Sequence, residues 1–95
     1  MPEMHFCIRW PDGTEEVCYS PSRVVRLHFD AGESYALDDF LARSRAALTV
    51  ASDRVRAKYG MPCARALGQL ARIEAVGLAF AGTPDARVAV DRFEE

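Results

Sequence analysis

The feature that most constrains the fold is a hairpin signal at the start of the chain. Two segments in which apolar and polar residues alternate, His5–Trp10 and Glu15–Ser20, flank the tetrapeptide Pro11-Asp12-Gly13-Thr14. Proline presets φ at the first turn position, aspartate hydrogen-bonds its own backbone, and glycine adopts the positive φ that the turn exit needs. The chain is therefore expected to open with two antiparallel strands joined by a tight turn.

Two registers are compatible with this turn. A four-residue loop sets Phe6 opposite Tyr19 and Cys7 opposite Cys18, and it collects the apolar side chains of both strands on one face. Those side chains are Phe6, Ile8, Trp10, Val17 and Tyr19. A three-residue loop with a glycine bulge shifts the pairing by one and scatters the apolar residues over both faces. We favour the first register because it gives a single apolar face.

Periodicity predicts two main helices. Apolar residues recur every three or four positions over Leu37–Tyr59, with Asp38 and Asp39 in the first turn and Gly60 just beyond the end. Acidic residues at the start and glycine after the end are typical of helix termini. A second amphipathic helix is expected to begin at Pro62 and to continue to about residue 80.

The segment between the hairpin and the first helix is ambiguous. Ser20-Pro21 is typical of an N-cap followed by proline at the first helical position, which predicts a short helix to about Leu27. The pair Val24-Val25 suits a strand equally well. Residues 30–33 are expected to form a turn.

The order of elements indicates an α+β fold in a single domain covering residues 1–95. The alternating segment Arg87–Phe93 predicts a last strand. We expect this strand to complete a small three-stranded sheet with the hairpin, with both main helices packed on one face of that sheet.

Composition restricts the classes of function. The formal net charge is −2 and the isoelectric point is about 5.7, which disfavours binding to nucleic acid or to an anionic membrane surface. No apolar run approaches the roughly 20 residues of a membrane span, and the first residues do not resemble a signal peptide. With three cysteines, an odd number, these features predict reduced thiols and a cytoplasmic location.

The cysteines are the first candidates for chemistry. Cys63 is expected in the first turn of the second helix, where the helix dipole stabilises a thiolate, although it also opens that helix's apolar stripe. We favour packing over reactivity. If Cys7 faces Cys18 a disulfide is sterically conceivable, but free thiols are favoured. The histidines and cysteines lack metal-ligand spacing, so no metal, cofactor or catalytic set is expected.

Glu74 lies against the pattern of its helix. It falls on the apolar stripe near Leu70, Gly77 and Leu78, and a buried carboxylate needs a partner. We expect it to pair with an arginine or to lie at the solvent edge of the stripe. A functional acid is the alternative.

The far side of the long helix carries small residues where charged ones are usual. We identify Ala46, Val50, Asp53 and Ala57 as a candidate interface, because small side chains let another protein approach closely. Alanine is also the best helix former, so an ordinary surface explains the same pattern. A homodimer about a two-fold axis and a heterologous partner are both compatible with this face, and we slightly favour the homodimer.

Nearly the whole chain resembles a known family. The segments MPEMHFCIRWPDG, CYSPS, SYALDDF through ARSRAAL, ASDRVRAKYG and CARALGQLARIE resemble small bacterial nitrogen-starvation response proteins of the mycobacterial type. Such proteins are often encoded beside a nitrilase-like carbon–nitrogen hydrolase. The resemblance implies a cytoplasmic role in nitrogen metabolism, including the assimilation of nitriles or cyanide, and it assigns no catalytic residues. Residues 23–29 are more basic here than the resemblance implies.

We therefore expect a non-enzymatic accessory or regulatory protein that binds another protein, such as an enzyme of the same gene cluster. The alternative is a sensor or carrier of a small anionic metabolite, held by arginines such as Arg9 or Arg26 in a pocket between sheet and helices. A thiol-dependent enzyme centred on Cys63 is the least favoured.

Overall fold

The hairpin, a short third strand and the last strand form one antiparallel sheet in the order β2-β1-β4-β3. The structure is a computed structural model that describes residues 3–95. The strands are β1 (Met4–Arg9), β2 (Glu15–Ser20), β3 (Glu33–Ala36) and β4 (Arg87–Glu94); the helices are a 3₁₀ helix (Arg23–Leu27), α1 (Leu37–Tyr59) and α2 (Ala64–Ala79). The α+β class and the helices on one sheet face are confirmed. The sheet has four strands instead of the expected three.

The favoured hairpin register is wrong. Phe6 pairs with Cys18 and Cys7 pairs with Val17, one position away from the register that places Cys7 opposite Cys18. The Trp10 N–H donates to the Thr14 carbonyl at 2.8 Å, and Gly13 has a φ of 89°. This is the three-residue loop with a left-handed glycine, so the turn chemistry sets the register and the apolar residues are divided between the two faces.

The faces of β2 change accordingly. Val17, expected in the core, is 56% exposed, whereas Cys18 and Ser20 are fully buried beneath the helices. The inward face of β1 holds the predicted apolar side chains, with Phe6 and Ile8 fully buried. The apolar area that β2 lacks is supplied by residues from outside the hairpin, such as Phe29 and Phe40.

The segment after the hairpin forms a helix followed by a strand. The 3₁₀ helix has Ser22 as its N-cap, because the Ser22 side chain accepts from the Val24 N–H. Of the two alternatives that the sequence left open the helix is present, but its cap is Ser22 instead of the expected Ser20. The expected turn at residues 30–33 overlaps the start of β3 at Glu33, and this strand of four residues was not predicted because it is too short to show an alternating pattern.

The helix boundaries follow the sequence closely. The first helix spans the predicted residues, and Gly60 closes it with a φ of 85° and an N–H that donates to the Arg56 carbonyl at 2.8 Å. The second begins at Ala64, two residues after the expected Pro62. Cys63 is therefore the N-cap, with extended backbone angles, and does not lie within the first turn as expected.

Aromatic side chains fill the space between the sheet and the helices. The Trp10 ring stacks on Phe80 at 6.0 Å between centroids and meets the Phe40 ring edge-on at 5.7 Å. Phe29 lies 5.4 Å from Phe40. The buried positions of α1 end at Ser52, so the last two turns of α1 and the connection to α2 extend beyond the core.

Candidate functional site

Three surfaces are candidates for function: the outer face of α1, a groove at one end of the molecule and the helical tip at the other. The outer face of α1 consists of the predicted residues Ala46, Val50, Asp53 and Ala57, all of which are exposed. Val50 is 38% exposed. The buried residues of α1, such as Ala47, Leu48 and Ala51, lie on the opposite side of the same helix.

The end groove lies between the first half of α1, the second half of α2 and the connection to β4. It is an open concavity of about 740 Å³. Its lining is mostly apolar and comprises Ala36, Leu37, Asp38, Leu41, Arg45, Glu74, Ala75, Gly77, Leu78, Ala81, Thr83, Asp85 and Ala86. Concavities of this volume accommodate a drug-sized ligand or a few side chains of a partner.

Negative charge predominates at the end groove. Arg45 Nε lies 3.2 Å from Glu74 Oε1, so Glu74 has the arginine partner that its sequence position suggested. Asp38 and Asp85 also line the groove, and no ion pair joins either of them to another charged group within residues 3–95. The carboxyl end of α2 and the amino end of α1 both border the groove, so the two helix dipoles oppose each other there and the excess of carboxylates decides the sign of the charge. The groove therefore favours an apolar group that carries a positive charge.

The arginines expected to hold an anionic metabolite lie elsewhere. Arg9 pairs with Glu15 at 2.9 Å and with Asp91 at 3.3 Å on the uncovered face of the sheet. Arg26 lies 3.4 Å from Glu95 and 5.4 Å from the centre of the Phe93 ring. Neither side chain lines the groove.

The cysteines are separated in space. Cys7 and Cys18 point to opposite faces of the sheet, since their partners are Val17 and Phe6, and all three cysteines are free. Burial raises the pKa of the Cys18 thiol, and burial with a hydrogen bond to Glu94 raises the pKa of Cys7. Cys63 is half-buried, and its N–H donates to Ser52 Oγ at 3.2 Å.

Metal-ligating side chains do not converge in the part of the chain that the structure describes. Within residues 3–95, no three His, Cys, Asp or Glu side chains are placed to hold one ion. Neither α1 nor α2 combines the length and apolarity needed to cross a bilayer.

The end groove was missed by the sequence analysis. Only Glu74 among its residues was singled out, and it was singled out as a charge on an apolar stripe. One further signal was present: Leu78 continues that stripe to the end of α2, yet it is 75% exposed in the structure. Asp85, with a φ of 55°, adopts the left-handed conformation that aspartate tolerates better than most residues.

The sequence of the chain matches the model of a known protein family. The family model described as nitrogen starvation-induced protein NitG matches residues 5–93. The chain therefore belongs to the NitG family of nitrogen starvation-induced proteins. No curated protein and no solved structure matches it.

Proposed function

We propose that this member of the NitG family is a small cytoplasmic accessory or regulatory protein that acts by binding another protein. The partner is either an enzyme of nitrile or cyanide nitrogen assimilation encoded in the same gene cluster or a second copy of the chain. Membership of a nitrogen starvation-induced family supports the physiological setting. The mode of action is supported by the surface of α1.

The single observation that carries the proposal is the exposed outer face of α1. A helix of 23 residues uses one side for the core and presents Ala46, Val50 and Ala57 on the other. These short side chains permit a close approach of another helix or strand. Arg43 and Arg54 border the face and can contribute a polar rim of the kind that protein interfaces have.

The test is a charge placed in the middle of this face. We expect Val50→Glu to fold normally, because Val50 is exposed and does not belong to the hydrophobic core cluster, and to lose partner binding, because an unpaired carboxylate is costly to bury. The matched control is Val17→Glu, the same substitution at a valine that is 56% exposed on the sheet.

Both variants would be compared with the wild type by cross-linking and affinity purification from nitrogen-starved cells, and by sedimentation of the purified proteins. A specific partner that is lost only with Val50→Glu supports the heterologous contact, and a dimer that is lost only with Val50→Glu supports the homodimer. If Val50→Glu retains every interaction of the wild type, the outer face of α1 is an ordinary helix surface and the proposal is wrong.

A second candidate function, a carrier or sensor of a small molecule, is supported by the end groove. Its lining brings together Asp38, Arg45, Glu74 and Asp85 around apolar walls. The excess of carboxylates favours a cationic ligand over the anionic metabolite expected from the sequence. Thermal stability would be compared in hexylamine and in hexanoate, which share one chain length and differ in charge. Stabilisation by the amine alone supports this function, and equal response to both excludes charge selection by the groove.

A further inference from the structure

The helical tip at the far end of the molecule has the opposite character to the end groove. The helical tip is the segment from Asp53 to Cys63, which comprises the last two turns of α1 and the connection to α2. It contains Arg54, Arg56 and Lys58, none of which forms an ion pair within residues 3–95, although Arg54 Nη1 donates to Ser22 Oγ at 3.4 Å. Two large apolar side chains project beside them: Tyr59 is 63% exposed and Met61 is 72% exposed.

The end groove has the complementary properties. Its walls include Leu37, Leu41 and Leu78, and its charged lining is predominantly acidic. A large apolar side chain flanked by positive charges is the group that such a groove favours. Met61 and Tyr59 of the helical tip, next to Lys58, provide that combination within this same sequence.

The two surfaces cannot meet within one molecule. The groove lies at the first turn of α1 and the tip lies at its last turn, and a helix of 23 residues is about 34 Å long. The whole fold extends 42 Å along its longest axis. The tip of one copy can therefore reach only the groove of another copy.

We propose that the helical tip of one copy docks into the end groove of the next, giving a head-to-tail self-association. Met61 and Tyr59 enter the apolar part of the groove, and Arg56 and Lys58 face its carboxylates. In the head-to-tail arrangement each copy at an end keeps one free tip or one free groove, so the contact repeats in open chains, in contrast to a two-fold dimer in which each tip fills the other copy's groove. Asp53 and Ala57 belong both to the helical tip and to the outer face of α1, but Val50 lies outside the tip, and the contact does not rest on the proposed function.

The expected strength follows from the nature of the contact. A single tip in a single groove falls among the small, transient interfaces, so association should appear only at high protein concentration. Because opposite charges flank the apolar anchor, raising the salt concentration should weaken the association.

The decisive experiment uses two variants that leave the fold intact. Met61→Glu places a carboxylate on the connection between α1 and α2, at a side chain that is largely exposed. Leu78→Arg places a positive charge inside the groove, at an exposed position in the last turn of α2, where the dipole favours positive charge. Leu27→Glu is the control, since Leu27 is 79% exposed and belongs to neither surface.

Sedimentation equilibrium would be measured for each protein over a concentration series up to about 1 mM, where weak protein complexes become populated. We expect the average mass of the wild type and of Leu27→Glu to rise with concentration beyond that of a dimer. Met61→Glu and Leu78→Arg should each remain monomeric. An equimolar mixture of the two should associate again, because one variant has an intact groove and the other an intact tip.

Other outcomes overturn the proposal. They are a wild type that stays monomeric throughout the series, single variants that associate as the wild type does, and a mixture that fails to restore association. Loss of association with Val50→Glu alone would assign self-association to the outer face of α1. A small cation that copurifies with the wild type, is lost with Leu78→Arg and blocks self-association would assign the groove to a small ligand instead.

Discussion

Gly77 of α2 lies directly against Leu41 of α1 where the two helices cross beside the end groove. A Cβ atom built on Gly77 would lie 2.8 Å from Leu41 Cδ2 and 3.1 Å from Leu41 Cδ1. Real Cβ atoms do not approach a neighbour so closely, so any larger residue at position 77 must displace the Leu41 side chain. Because Leu41 lines the groove, the glycine sets both the helix separation and the shape of the groove wall.

This contact predicts opposite effects for two glycines of the same helix. Gly77→Ala gains about 1 kcal/mol of helix propensity but loses about 1–3 kcal/mol through overpacking against Leu41, so we expect net destabilisation. Gly68→Ala should stabilise the protein by about 0.5–1 kcal/mol, since a Cβ there meets nothing within 4 Å.

Urea unfolding of both variants and the wild type provides the measurement, with the emission of the single tryptophan, Trp10, as the probe. Equal stabilisation by the two substitutions would show that Leu41 moves aside without cost and that the close approach is unimportant.

The hairpin register predicts a large difference between two hydrophobic residues that the sequence places on one face. Phe6 is fully buried and stacks on Phe29 at 6.1 Å between ring centroids, so Phe6→Ala should lose about 3–5 kcal/mol of unfolding free energy. Val17 is largely exposed, so Val17→Ala should change stability by no more than about 0.5 kcal/mol.

Chemical denaturation of the two variants tests the register directly. If Val17→Ala lowers the free energy of unfolding by about 2 kcal/mol or more, as truncation of a buried side chain does, Val17 faces the core and the observed register is wrong.

Local signals predicted those elements that local chemistry determines. The bounds of α1 follow from its apolar period, its acidic start and Gly60, all of which act within a few residues. Two signals favour different hairpin registers: the turn residues around Gly13 favour a three-residue loop, and the collection of apolar side chains on one face favours a four-residue loop. The turn prevailed because Phe29 and Phe40, distant in sequence, supply the apolar surface that β2 lacks. The strand β3 was missed because its four residues are defined by pairing with β4.

The candidate site was predictable only in part, for a similar reason. The outer face of α1 is a property of one helix, and its four residues are exposed as expected. The end groove is assembled from α1, α2 and the connection to β4, so no single segment contains its pattern. Glu74 was recognised as a charge that needs a partner, but the identity of that partner, Arg45, depends on how the two helices cross.

The buried thiol of Cys18 predicts a loss of stability at alkaline pH. Burial raises its pKa above the usual value of a thiol, so the folded state retains the proton that the unfolded chain releases above about pH 8.5. The stabilising contribution is therefore complete below that pH and declines as the pH rises above it, by about 1.4 kcal/mol per pH unit for this group. Cys7 and Tyr19, whose pKa values are also raised, act in the same direction.

Guanidinium unfolding between pH 7 and pH 10.5 measures this decline. Cys18→Ala should be less stable at pH 7, because it leaves a small cavity, but its stability should fall less steeply with pH than that of the wild type. Identical slopes for the two proteins would mean that the Cys18 thiol ionises in the folded state as readily as in the unfolded chain.

The position of Cys63 as the N-cap of α2 yields the last prediction. Its side chain makes no capping hydrogen bond, whereas a serine hydroxyl at an N-cap accepts one from the first turn and contributes about 0.5–1 kcal/mol. Cys63→Ser should therefore raise stability by up to about 1 kcal/mol and leave partner binding unchanged.

Cys63→Ser should also remove the fastest phase of iodoacetamide labelling of the native protein, since Cys7 is 5% exposed and Cys18 is fully buried. Cys7→Ser, as the control, should retain that phase. A Cys63 thiol that reacts at pH 7 more than about tenfold faster than free cysteine, together with loss of function in Cys63→Ser, would establish a reactive thiolate and favour the thiol-dependent enzyme over the accessory protein.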